Sequence, residues 1–418
     1  MVTIEDHKIN SSKKIIDDLE IQVVYMPLES KLGYTFKPTV TAGDYVCIGT
    51  VIGKNISSDL PLTSSVSGTV VGFADKYISN GKLVKCIVIE NDFKEKYQNK
   101  VGKKKDITKY SKEEFLYLLK TCGITGLGGS DFPSYMKYDT KNKIKYLIVD
   151  GAECEIYASS DSTLMYNKTE EILECIDAII EIMGIEKAYI AINGKNSKII
   201  KKFLKNINTY PNIKIYSLVN AYPNGYEKYL VNEILGLTYD RLPIEVGVIN
   251  QNVSTIYAIY EMLKYHKPLS DRIVTISGNG IKKPANYKVK IGTNLSEIVL
   301  KTDLYSNIEN PVLVAGGAMM GTSIPNDELI VTKDLNCILV LNNNETKEYP
   351  CIKCGKCTEV CPVNLIPALM MENKDKAKER KIDKCIGCGL CSYVCPSKIE
   401  VKNILKQMKE ELKWKNLK

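Results

Sequence analysis

What this 418-residue chain lacks narrows its chemistry before any motif is read. No apolar run approaches the ~18 residues that a membrane-spanning helix needs; the stretch 311–321, PVLVAGGAMMG, is short and Gly-rich. No aromatic-interleaved basic cluster appears, which gives little support to a nucleic-acid partner. A net charge of +8, from 57 Lys and Arg against 49 Asp and Glu, is spread thinly along the chain. It supports at most a docking face toward an acidic partner or a membrane surface. The first ten residues are polar and charged, without the apolar core of a secretion signal, so a cytoplasmic location is expected, with the inner face of the cell membrane open to it. At 44% hydrophobic and 25% charged, this is globular composition, long enough for roughly two to four domains.

Cysteine is what the chain has in unusual order. Cys351, Cys354, Cys357 and Cys361 form C-x2-C-x2-C-x3-C before Pro362, and Cys385, Cys388, Cys391 and Cys395 repeat it before Pro396. This spacing holds [4Fe-4S] clusters: three closely spaced thiolates wrap one cubane, and the fourth, set off by a Pro turn, reaches the other. Cys351, Cys354, Cys357 and Cys395 are therefore expected on one cluster, and Cys385, Cys388, Cys391 and Cys361 on the second. Structural zinc would use paired C-x2-C knuckles without the third cysteine and the proline. A disulfide framework belongs to short secreted chains. Cys47, Cys86, Cys122, Cys154, Cys175 and Cys337 are scattered among mostly apolar neighbours and read as small buried residues.

Patterning divides the chain into a multidomain α/β protein. Residues 1–100 carry short strands with alternating apolar residues and regularly placed glycines, as in 38–53 and 64–72, and suggest a small β-sandwich. V-T-A-G-D-Y-V followed by S-V-S-G-T-V resembles the biotinyl/lipoyl hammerhead, but no lysine stands in a matching turn to bear a swinging arm, so this unit reads as structural. Residues 101–268 alternate strands (144–149, 187–192) with helices (Thr169–Met183, 197–207), the signature of a doubly wound parallel sheet. Residues 269–345 return to strands with one short helix near 294–301 and suit a β-grasp unit. Residues 346–402 form the two-cluster module, and 403–418 form a basic amphipathic helix with Ile404, Met408 and Leu412 on one side.

Two motifs in the α/β unit point to a nucleotide-like ligand. Gly123-Ile-Thr-Gly126-Leu-Gly128-Gly129-Ser130-Asp131-Phe132-Pro133, with Lys137 beyond, can bring backbone N–H groups close to a phosphate and add a cation. Asp150-Gly-Ala-Glu153-Cys154-Glu155 follows a strand, and carboxyl ends of strands are where open α/β sheets bind ligands. Taken alone, each also reads as an ordinary turn or a solvated loop.

Together, G-L-G-G-x-x-F-P-x-x-x-K and D-G-A-E-C-E resemble the C subunit of the Rnf electron-transport complex and, more distantly, the flavin- and NADH-binding subunit of respiratory complex I. The segments 222–228, 250–255, 316–321 and 336–339, and the paired cluster motifs, agree with that pattern over nearly the whole chain. The third unit is then SLBB-like. The resemblance implies FMN and NAD(H) beside two [4Fe-4S] clusters. Gly126, Gly128, Gly129 and Lys137 would cradle the FMN phosphate. Asp150 stands where the family has an Asn beside the ring, and Glu153 and Glu155 match carboxylates near flavin and nicotinamide. Glu227 and Lys228 match the dinucleotide segment, and Asn252 and Thr255 reach the phosphate from the other side. The chain departs from the pattern at Ser130-Asp131, Ile156, Tyr226 and Lys195-Asn196: an Asp131 carboxylate beside a phosphate would repel it, and Tyr226 would crowd the nicotinamide side. The implied role is passage of electrons between NAD(H), FMN and the clusters, with membrane-bound Rnf subunits as partners. A soluble carrier feeding a reductase such as proline reductase, and a cluster-bearing scaffold without flavin, are the other readings.

Overall fold

Strict alternation of apolar residues builds two facing sheets at the N-terminal end of this computed structural model. The hairpin Gly68–Tyr77 and Leu83–Asn91 is flanked by Val23–Pro27 and Tyr45–Val46, and opposite it lie Phe36–Pro38, Val51–Asn55 and Pro61–Thr63. Val24, Ile52, Leu62, Val70, Ile87 and Ile89 fill the space between them. The structure describes the whole chain except residues 1, 5, 6, 9–13, 59, 100, 102–104, 307, 343–346 and 416–418, with side chains undescribed at 413–415. The expected divisions near 100 and 345, and the end of the expected terminal helix, lie outside these residues. The first unit is also not self-contained: Ile15–Ile16 pairs in parallel with Ala285–Lys290 of the third.

The α/β unit holds a four-stranded parallel sheet of Tyr146–Gly151, Lys187–Asn193, Ile213–Leu218 and Val248–Asn252, in the spatial order third, second, first, fourth. Its first strand runs two residues later than the expected 144–149, because pairing to both neighbours begins at Tyr146. Leu147 and Val149 face a core shared with the helices Lys112–Thr121, Thr169–Met183 and Val253–Tyr265, while Ile148 faces Leu230 and Val231 of Glu227–Leu235 on the other side. Ile172, Ile176 and Ile179 are wholly buried. Each contributes about 1.5–3 kcal/mol by leaving water, so Ile176→Ala would cost about 2–5 kcal/mol. Gly184 ends that helix with φ +63°, a conformation that favours glycine. The order of strands reverses between the first and the fourth, which opens a crevice at their carboxyl ends.

The third unit is a six-stranded mixed sheet, with Leu295 and Ile298 of the helix Leu295–Thr302 packed on it. In the cluster module the two cysteine motifs adopt the same backbone path. Gly355 and Gly389, both at φ +81°, start the turns Lys356–Glu359 and Leu390–Tyr393. Asn364 and Lys398 take positive φ after the two prolines. The terminal helix begins at Val401 rather than 403, and buries Val401, Leu405 and Met408 against Leu365, Met370, Ile382 and Ile399. Among the described residues no helix is long and apolar enough to cross a membrane.

Candidate flavin crevice and cluster module

The reversal point brings together most of the residues singled out from sequence. Asp150 and Asn252 are register partners at the ends of adjacent strands. Asn252 uses its Oδ1 to cap the following helix at Ser254 N (2.9 Å) and its Nδ2 to reach Asp161 Oδ2 (2.8 Å). The Gly-rich loop folds over this edge: Gly126 N donates to Phe132 O at 2.8 Å, and Leu127 N donates to Thr255 Oγ1 at 2.9 Å. A Cβ on Gly128 would lie 2.8 Å from Asn252 Cβ, so only glycine lets the loop approach. Lys137 donates to Asn250 O at 2.8 Å; burial pushes its ammonium down, and Glu227 and Asp150 pull it back up.

Asp150 is the most strongly perturbed carboxyl of this edge. Burial, reinforced by Asp161 and Glu227, pushes its carboxyl up to about 7, although Ala152 N donates to it at 3.0 Å and Lys137 opposes the shift. Gly225 brings the 222–228 segment against it, since a Cβ there would sit 3.3 Å from Ala152 Cβ and 3.7 Å from Asp150 Oδ1. Glu227 lies in the same electrostatic neighbourhood and accepts from Tyr239 OH at 2.9 Å. Lys228 does not join them: it turns to Asp240 O and lies over the Tyr239 ring.

Glu153 and Glu155 are near the crevice but already engaged. Glu153 accepts from Asp161 N (2.7 Å) and Ser162 N (3.2 Å) and pairs with Lys8 at 3.5 Å. Glu155 accepts from Met319 N (3.0 Å) and Met320 N (2.8 Å), and Gly317 leaves room for it. Both carboxylates thus fasten backbone, Glu153 within its own unit and Glu155 to the 316–321 loop of the third. Asp131, with φ +52°, is buried with Asp334, Lys333 and Lys31 as charged neighbours; burial and Asp334 push its carboxyl up to about 6, and the two lysines oppose the shift. Tyr226 is half-buried at the start of Glu227–Leu235, and Ile156 lies beside Tyr222.

The unpartnered acceptors fit a flavin nucleotide, whose ring and ribose carry N–H and O–H donors. Asn250 Oδ1, Gln251 Oε1, Ser160 Oγ and Asn224 Oδ1 are buried with no hydrogen-bond partner among the described residues, an arrangement that proteins seldom leave unfilled. Asn250 and Gln251 lay in the 250–255 segment matched from sequence but were given no role there, although two amides closing a buried apolar strand are a legible signal. Lys8, Asp161 and Arg272, whose Nη2 holds Leu127 O at 3.2 Å, gave none.

In the cluster module, one cavity is lined by Cys351, Cys354, Cys357 and Cys395 together. Cys388 has Cys361 and Cys385 as its neighbouring thiols, and Cys391 has Cys388 and Cys385 ahead of Cys357. Cys351 and Cys354 are exposed, whereas Cys388 is buried. Burial pushes the Cys391 thiol up to about 12, so iron has to supply the charge that makes it a thiolate. Leu365 N donates to Cys361 Sγ at 3.2 Å, the kind of contact that tunes cluster potentials. Residues 347–418 hold 16 Lys and Arg against 9 Asp and Glu. Seven of the eight net positive charges therefore sit here, which corrects the reading of an evenly spread charge.

Comparisons with known proteins match three stretches of the chain. The RnfC barrel sandwich hybrid domain matches residues 2–94, the Nuo51 FMN-binding domain 119–261, and a 4Fe-4S dicluster domain 345–401. The C subunit of the proton-translocating ferredoxin:NAD(+) oxidoreductase complex of Clostridium ljungdahlii is 31% identical, over 89% of this chain and 84% of that one. The C subunit of the ion-translocating oxidoreductase complex of Rhodobacter capsulatus is 33% identical over 87% and 72%. The C subunit of the Na(+)-translocating ferredoxin:NAD(+) oxidoreductase complex of Acetobacterium woodii is 30% identical over 84% and 81%. Among solved structures, a chain of an air-oxidized NAD+-reducing [NiFe]-hydrogenase shares the fold at TM-score 0.50 and 15% identity, over 73% of this chain and 55% of that one.

Proposed function

The chain belongs to the RnfC family, the C subunits of ion-translocating oxidoreductase complexes, and from that premise we propose that it exchanges electrons with NAD(H) while seated on membrane-bound partner subunits. It is an iron–sulfur flavoprotein with an FMN-binding domain and a dicluster domain. When bound, FMN supplies the conversion between a hydride's electron pair and single electrons. Gly126, Gly128 and Gly129 would give backbone N–H groups to its phosphate, with Lys137 as counter-charge and Thr255 fixing the loop. Asn252 and Asp150 would border the ring, and Asp150, poised near 7, can hold or release a proton there. Glu227 and the half-buried Tyr226 would face the dinucleotide. Cys351, Cys354, Cys357 and Cys395 would hold one cluster, and Cys385, Cys388, Cys391 and Cys361 the other.

The observation that carries this reading is the gathering of loop, lysine and unpartnered amides at the one strand-order reversal of the sheet. Lys333 and Lys31 beside Asp131 offset its charge, which supports a phosphate at the glycine loop. The flavin-free scaffold and the soluble reductase carrier lose ground to the family and domain matches. Anaerobic titration with NADH, followed by optical spectra, tests the proposal. Bleaching of the flavin band and of the cluster absorbance is expected, and a flavin-loaded protein inert to NADH would refute the nicotinamide link.

A further inference from the structure

One short segment touches both cofactor regions. Tyr222 is 2% exposed, and its OH donates to the carbonyl of Cys388 at 2.7 Å. Around it pack Met319, Leu390, Cys154 and Cys388 itself. Three residues on, Gly225 rests against Ala152 and Asp150. The span from the crevice edge to a cysteine of the second quartet is therefore four residues of one loop. Among the described residues no such hydrogen bond to a first-quartet cysteine is seen, and Cys351 and Cys354 are exposed.

We infer that Tyr222 is a positioning residue that holds the second-quartet cluster toward the flavin crevice and sets its potential through the Cys388 carbonyl. The inference rests on the proposed assignment of Cys388 as a cluster ligand. A hydroxyl proton placed on a ligand's peptide carbonyl, in a site that water does not reach, offsets negative charge next to the iron and favours the reduced state. Because the tyrosine is fixed by burial on the flavin side, the same contact ties the cluster's position to the crevice. The second quartet then faces the flavin, and the first faces the surface.

The test uses the full chain, prepared without oxygen and loaded with FMN and iron, as wild type and Tyr222→Phe. The phenylalanine keeps the packing and removes only the hydroxyl. Redox titration followed by EPR should show one of the two clusters harder to reduce, with its reduced-to-oxidised ratio at fixed solution potential down about threefold to tenfold, the worth of one hydrogen bond. Iron and flavin contents should match wild type. The shifted cluster should be the one lost in Cys385→Ala. A shift in the other cluster, or none in either, would overturn the inference. So would loss of iron from Tyr222→Phe, because the hydroxyl would then serve assembly rather than potential. If wild type itself held no second-quartet cluster, the ligand assignment would fail instead.

Discussion

The cluster module and the flavin crevice are built in opposite ways. The module draws all eight thiols from residues 351–395, repeats one backbone path twice, and closes a core of a few apolar side chains with its terminal helix. So small a core stabilises little alone, and metal binding then becomes part of folding. The crevice gathers residues 126–255 on a sheet with apolar clusters packed on both faces, which place its charges. One site is drawn from a short local stretch and the other from residues spread over more than a hundred positions.

The largest effect expected to separate them is Cys361→Ala. Iron should fall from about eight to about four per chain, with the cluster of Cys385, Cys388 and Cys391 lost, while flavin content stays whole. Loss confined to the cluster of Cys351, Cys354 and Cys357 would mean that the ligands do not cross. Gly128→Val should do the reverse. With the added side chain driven into Asn252, FMN affinity measured by fluorescence should fall roughly 100-fold, about 3 kcal/mol of overpacking, and iron should remain.

Asp150→Asn sharpens the contrast through pH. The folded protein holds a proton on Asp150 until about 7, whereas the unfolded chain releases it near 3.8. This stabilising contribution is complete below 3.8 and is lost as pH rises through about 7. Without FMN, the wild-type Tm should drop across that window relative to the Asn variant, by a few degrees. Parallel curves would place Asp150 in a more polar setting. The smallest effect belongs to Lys228→Ala: its amine already serves Asp240 O, and flavin and NADH affinities should change by less than about twofold.

The module was legible because its chemistry is local. Cys385 to Cys395 carry the spacing, the glycine turn and the proline within a few residues, and the fold repeats what the spacing implies. The crevice was legible only in part. Gly128, Lys137, Asp150 and Asn252 stood out by motif and do converge, but the partners that decide their roles come from distant sequence. Lys8 meets Glu153, Met319 meets Glu155, Arg272 meets Leu127, and no periodicity announces such pairs. Asp131 looked adverse for the same reason, since its neighbours Lys333 and Asp334 belong to another unit. Lys228 shows the converse: a motif position whose side chain leaves the site.

Lys402, on the terminal helix, donates to Met319 O and Gly321 O at 3.1 Å each, in the loop whose amides Glu155 holds. The terminal helix thus anchors the metal-bearing lobe to the very loop that Glu155 grips from the sheet, so one short stretch of backbone links the lobe to the crevice side.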